Sequence, residues 1–152
     1  MKTTESISPI LQQAKPVLHD LVDGLIKTIL PVAVRNNTFI VNDVPAGLFI
    51  DVDANDLAGV ISGLLRSVIH NAKESCIRIS ANEMYGNTIV LSIKDSNSFN
   101  TYGVVCSLQN VVPLAQKIGG KPVISSQRQK ITTIAFRFPI QQQEERQFNS
   151  FG

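Results

Sequence analysis

Apolar residues recur along this chain at two different spacings, and the switches between them divide it into elements. Ser8 before Pro9 reads as a helix cap followed by proline at the first helical position, and Pro16 as a restart or kink. Leu18, Leu21, Val22, Leu25, Ile26 and Ile29 then fall at three- and four-residue intervals, which predicts one apolar helix face. Lys15, His19, Asp23 and Lys27 make a polar face, and Gly24 costs such a helix about 1 kcal/mol relative to alanine. Pro31 and the pair Asn36-Asn37 are expected to end it. Two short strands are predicted next, Thr38 to Asn42 and Leu48 to Val52, with Pro45 and Gly47 in the turn between them. Asp53, with Asp56 three residues on, resembles a capping box and opens a second helix. Leu57, Val60, Ile61, Leu64, Leu65, Val68 and Ile69 give it the most complete helical period in the chain, ending near Asn71.

The period then changes to two. Ile77, Ile79 and Ala81 share one strand face and Ile89, Leu91 and Ile93 the next, joined through Tyr85-Gly86-Asn87. The polar run from Asp95 to Gly103 breaks the pattern. A third helix is predicted from about Val104 to Ile118, kinked at Pro113 and stopped by Gly119-Gly120. A last hairpin has strands near Pro122–Ser126 and Ile131–Phe138, joined by residues 127–130. Pairs of strands alternating with helices indicate an α+β fold: a two-layer α/β sandwich, with a mixed, mostly antiparallel sheet and three helices on one face.

The 152 residues suit one domain, here residues 16–140, preceded by a segment 1–15 and followed by a polar tail 141–152. With 43% hydrophobic residues the chain can build a core without a metal or disulfide staple. A net charge of +2 with no clustered basic block argues against binding nucleic acid through phosphates, and the absence of tryptophan argues against base stacking. Only two cysteines, Cys76 and Cys106, without CxxC spacing, favour a reducing compartment. No apolar run is long enough for a signal peptide or a membrane span, so a soluble, cytoplasmic location is expected.

Standard catalytic constellations are missing. His19 and His70 have no metal-ligand neighbours in sequence, and no nucleophile elbow or Walker A loop is present. Cys76 and Cys106 read as small packing residues rather than nucleophiles.

The order of elements, with IDVDANDLAGVISGLLRSVIHNA, TIVLSIKDSNS, LAQKIGG and ITTIAFRFP, resembles the ATP-binding catalytic domain of sensor histidine kinases, within the wider GHKL ATPase group. The resemblance spans residues 17 to 140, and its boxes are degenerate. In that family a polar residue on the second helix positions the attacking group, and an asparagine one turn later holds magnesium. Here Gly63 and Ser67 stand at those places, with His70 and Asn71 downstream. A serine hydroxyl alone is a poor ligand for an ion that wants octahedral hard donors. The Asp-x-Gly-x-Gly box reads Asp95-Ser96-Asn97-Ser98-Phe99. Its aspartate is in place to meet the adenine amino group, and its glycines are gone. Asn97 is a residue type able to take the left-handed conformation that a glycine would, and Phe99 is expected to crowd a ligand. Asp95 also reads simply as a strand-end cap, and both readings stay open. The phosphate-gripping loop keeps only Gly103, and Gly-Thr-Thr has become Ile131-Thr132-Thr133. Thr132 and Thr133 keep hydroxyls that the resemblance places on the adenine side, although threonine is ordinary strand composition.

The resemblance therefore implies a histidine-kinase-like ATPase domain that has lost phosphotransfer and acts by binding a signalling protein: a response regulator, a kinase or a sigma-factor regulator. It allows weak ATP or ADP binding and argues against magnesium. Two other readings stand beside it. One is a working ATP-binding domain acting in trans. The other is a phosphotransferase-like adaptor using His19 in Leu18-His19-Asp20-Leu21, for which the chain offers one helix before the first strand rather than a hairpin.

Overall fold

A computed structural model describes residues 16–128 and 130–140. The expected helix start at Ser8-Pro9 and the tail 141–152 lie outside the described residues. Helix α1 spans Leu18–Arg35, strand β1 Phe39–Asn42, and helix α2 Ala54–Ile69. Strands β2, Cys76–Met84, and β3, Thr88–Asp95, follow. Two short helices come next, α3 at Thr101–Leu108 and α4 at Val112–Lys117, and then strands β4, Lys121–Gln127, and β5, Ile131–Pro139.

The five strands form one sheet in the order β1-β2-β3-β5-β4. β1 runs parallel to β2, and every other pair is antiparallel. Alternation along the strands sends Ile77, Ile79, Ile89, Leu91, Ile93, Ile134, Phe136 and Phe138 to the helix-covered face, where all are buried. From the helix side, α2 contributes Leu57, Val60, Ile61, Leu64, Leu65, Val68 and Ile69, all at most 1% exposed. Full burial of each such side chain is worth about 1.5–3 kcal/mol, so this contact is the main cohesive element of the domain.

Local chemistry fixes the helix ends. The Asp53 carboxylate accepts from the backbone N–H of Asn55 at 2.8 Å and of Asp56 at 3.1 Å, as its sequence context predicts. At the other end the Asn36 side chain donates to the Ile69 carbonyl at 2.9 Å, tying the end of α1 to the end of α2. Asn37 follows with a positive φ of 52°.

Four expectations need correction. Pro31 lies inside α1 rather than at its end, on the exposed side, and the helix runs on to Arg35. Leu48–Val52 is not a strand. It makes isolated contacts instead: the Leu48 carbonyl accepts from Leu18 N, Ile50 N donates to the Pro16 carbonyl, and Asp51 N to the Ile140 carbonyl. Its alternating pattern is satisfied by burying Ile50 and Val52 while Phe49 stays 53% exposed. The third helix is two helices. Gln109-Asn110 turn the chain, and Pro113 starts the second helix, where its missing N–H costs nothing, instead of kinking one long helix. Among the described residues the helical layer therefore has four members where three were expected.

Candidate functional site

The polar residues singled out in the sequence come to the end of the sheet where β3 stops and β5 begins. Asp95 and Thr132 are direct cross-strand partners on the helix-covered face, and each is 1% exposed. Thr133, the next residue, points to the opposite face, beside Lys94 and Ser125. Thr132 and Thr133 therefore do not share a site.

Asp95 is held on one side only. Its Oδ1 accepts from the Ser75 hydroxyl and from the Asn97 backbone N–H at 3.0 Å. Its Oδ2 is buried and has no hydrogen-bond partner among the described residues. Leaving a buried acceptor unpaired costs about 1–3 kcal/mol, so this oxygen is the one acceptor of the carboxylate still able to take a donor. The strand-end cap expected from the sequence is real at Oδ1, and an acceptor is left over at Oδ2.

The loop after Asp95 does not behave as its composition suggested. Asn97 is not among the residues with positive φ, and its side chain reaches out to the Glu74 carbonyl at 3.3 Å. Phe99 is 63% exposed and does not crowd the cleft. The residue that turns inward is Ser98. Its hydroxyl lies 3.1 Å from that of Thr101, which lies 2.9 Å from that of Thr132. This chain of hydroxyls ties loop, helix and sheet together.

At the other boxes the protein's own groups bond and pack on one another, although Gly63, Ser67 and Val111 also line a groove of about 430 Å³ between α2 and the corner joining α3 to α4. Ser67 is buried, and its hydroxyl donates back to the Gly63 carbonyl one turn earlier at 2.9 Å, so it is aimed along its helix. A side chain at Gly63 would begin 2.8 Å from Val111 Cγ2, so the missing side chain is a socket into which Val111 packs. Asn71 donates to the Ser67 carbonyl at 2.7 Å and accepts from the Asn100 amide at 2.8 Å. Asn100 also caps α3, its Oδ1 accepting from Gly103 N at 3.1 Å. The backbone donor that a phosphate-gripping loop would present is thus already used. A Cβ at Gly103 would lie 2.4 Å from Asn71 Oδ1, so this clasp closes only over glycine.

These arrangements bear on what the site can hold. A base amino group fits Asp95 Oδ2 chemically. Ser67 offers magnesium little: its hydroxyl is nearly buried and donates to the Gly63 carbonyl, and a lone neutral hydroxyl is a poor ligand for that ion. Among the described residues no three His, Cys, Asp or Glu side chains gather to hold a metal ion. His19 is half-buried near the start of α1, its Nδ1 3.4 Å from Asp20 Oδ1. Cys76 is half-buried, whereas Cys106 is exposed on α3 rather than packed as its sequence suggested. Its contact with Tyr102 pushes the phenol up from its ordinary pKa.

The sequence missed Val111, Asn100, Ser75, Ser98 and Thr101. Asn100 ahead of an apolar run carried a readable cap signal. Val111 and Ser75 carried none, because their roles depend on contacts distant in sequence.

No family model matches the sequence, and no curated protein does. Solved structures do. Histidine kinase AdeS of Acinetobacter baumannii aligns at 12% identity and a TM-score of 0.70, over 84% of this chain and 66% of that one. The catalytic domain of histidine kinase ThkA, free of nucleotide, aligns at 14% identity and a TM-score of 0.69, over 86% of this chain and 97% of that one. Full-length ShkA in complex with AMPPNP aligns at 15% identity and a TM-score of 0.72, over 85% of this chain but 31% of ShkA. The chain thus matches nearly all of an isolated catalytic domain and under two thirds of the first and third of these proteins. At these identities the likeness establishes the fold, which is that of the histidine-kinase ATP-binding catalytic domain.

Proposed function

We propose that this chain is a degenerate histidine-kinase-type ATPase domain that works as a non-catalytic, protein-binding module in a signalling pathway. The observation that carries the reading is the Asn71–Asn100 clasp with Val111 seated over Gly63. Phosphoryl transfer depends almost wholly on positioning the phosphates and neutralising their charge. The positions that would do so here are committed to one another. Ser67 offers a metal only a neutral hydroxyl that donates to its own helix, and the N–H of Gly103 is spent on its cap.

The buried, unpartnered Oδ2 of Asp95 favours a residual capacity to bind the base of an adenine nucleotide weakly, ATP or ADP alike and without magnesium. The same oxygen is what supports the second reading, an ATP-binding domain acting in trans. The partner class suggested by the fold is a two-component protein: a response regulator, a kinase or a related sigma-factor regulator. No helix among the described residues is long and apolar enough to cross a membrane.

Incubation with radiolabelled ATP and magnesium tests the reading. The expected result is no phosphate release and no label on this chain or on an added kinase hairpin. Label transferred to the hairpin would replace this reading with the in-trans kinase. Acid-labile phosphate mapped to His19 would replace it with the adaptor.

A further inference from the structure

One stretch of chain, Ser98 to Val111, meets residues that the resemblance assigns to both halves of a nucleotide. Toward the base, the Thr101 hydroxyl lies 2.9 Å from that of Thr132, the cross-strand partner of Asp95, and Ser98 stands behind it at 3.1 Å. Toward the phosphates, Asn100 donates to Asn71 at 2.8 Å, and Val111 takes the space beside Gly63. The start of α3 is thus fixed at two points. Its first residue, Thr101, rests on the sheet, and its N-cap, Asn100, on the turn beyond α2.

What holds this stretch down differs from what holds α2. Helix α3 buries two apolar side chains, Val104 and Leu108, against seven in α2. The larger ones beside them, Phe99 at 63% and Tyr102 at 79% exposure, are left in solvent. The remaining ties are polar: the three hydroxyls, the two amides, and the Ser98 N–H donating to the Lys130 carbonyl at 2.6 Å. Bonds of this kind are largely replaced by bonds to water when they open. Segments with few buried apolar contacts open well below the free energy of global unfolding.

We propose that Ser98–Leu108 is an internal plug of the site: it opens as one unit, and an adenine base reaches Asp95 Oδ2 only while it is open. Asp95 requires such a movement. The residue is 1% exposed and its Oδ2 lacks a donor among the described residues, so a ligand donor arrives only after a neighbouring group has moved aside. The element whose hydroxyl rests on the strand partner of Asp95 is α3. Gly103 points the same way. A Cβ there would press on Asn71 and Asn100 together, so the closed position depends on the lack of a side chain. The inference rests on the proposed reading of Asp95 as a residual base site and gives that site a regulation.

Two variants loosen the two ties separately. Thr101→Val removes the hydroxyl that meets Thr132. Gly103→Ala pries Asn71 from Asn100, while alanine favours the helical conformation of α3 over glycine. Amide exchange of the full chain is followed by NMR, with and without adenosine. The Ser98 N–H reports on the sheet end, and the Val104 N–H, donating to the Asn100 carbonyl at 3.2 Å, on the other. Either variant should speed exchange at both reporters about tenfold, while α2 amides keep their rates. Adenosine affinity, read by calorimetry, should rise by the same factor, because both quantities follow the open fraction. In the unaltered chain, adenosine should speed exchange at both reporters rather than slow it. Unchanged rates in both variants, acceleration only at the altered end, slower exchange with adenosine, or weaker adenosine binding by both variants would overturn the plug. If both reporters speed up while no form of the chain binds adenosine, the opening stands and the residual base site is lost. ATP hydrolysis by either variant with magnesium would support the plug and end the non-catalytic reading.

Discussion

The two groups of site residues, as the resemblance to histidine-kinase domains orients them, carry opposite signatures. On the phosphate side, Gly63, Ser67, Asn71 and Gly103 have each gained a partner within the protein: Val111, a backbone carbonyl, Asn100 and the Asn100 cap. On the base side, Asp95 keeps one oxygen buried and unpaired. On the degenerate reading proposed above, loss of a motif is not one event. A ligand group disappears and the fold recruits the vacated position for packing, or it persists and the fold continues to bear its desolvation. The first outcome lowers the free energy of the domain. The second raises it by about 1–3 kcal/mol unless a donor arrives.

Both ends rest on the same frame, so the largest effects should come from breaking that frame. Leu64→Ala and Ile93→Ala remove fully buried side chains from α2 and from the sheet beneath it. Each should cost about 2–5 kcal/mol in denaturant unfolding. Near-native stability for both would mean that neither end is held as described.

The comparison is sharpened by putting a side chain back on the phosphate side. Gly63→Asn restores the family's residue type but drives its Cβ to within 2.8 Å of Val111 Cγ2. Overpacking of this kind should destabilise by about 1–3 kcal/mol. Adding Val111→Ala should recover part of that loss, because the two positions share one space. If Gly63→Asn is neutral, the socket is not filled and the phosphate side is open.

A smaller effect is expected at Ser67. Its hydroxyl makes one bond to its own helix, so Ser67→Ala should change stability by no more than about 1 kcal/mol and leave any adenosine binding untouched. Lost binding in Ser67→Ala would show that the hydroxyl turns toward a ligand.

How much of this the sequence disclosed depends on how local each cause is. The Asp53 cap and the apolar stripe of α2 are set within a few residues, and both were legible. So was the sandwich, and, apart from the strand expected at Leu48–Val52 and the split third helix, the order of elements. Leu48–Val52 alternates like a strand, but among the described residues it joins neither edge of the sheet and makes only isolated bonds to Pro16, Leu18 and Ile140. Pro113 was read as a kink because the apolar spacing continues past it, whereas the polar pair Gln109-Asn110 had already ended the helix. At the site, Gly63 and Ser67 were legible as departures from a motif. What fills them was not, because Val111 and Asn100 are far from α2 in sequence and meet it only through the fold. Phe99 shows the converse: its bulk was legible, and its direction, outward, was not.

The most direct test of the asymmetry is a calorimetric titration of the full chain with adenosine, ADP and ATP, each with and without magnesium, repeated on Asp95→Asn. If only the base side is open, the three ligands bind weakly with similar affinity, magnesium changes nothing, and Asp95→Asn weakens all three alike. ATP binding far more tightly than adenosine, and only with magnesium, would contradict the account.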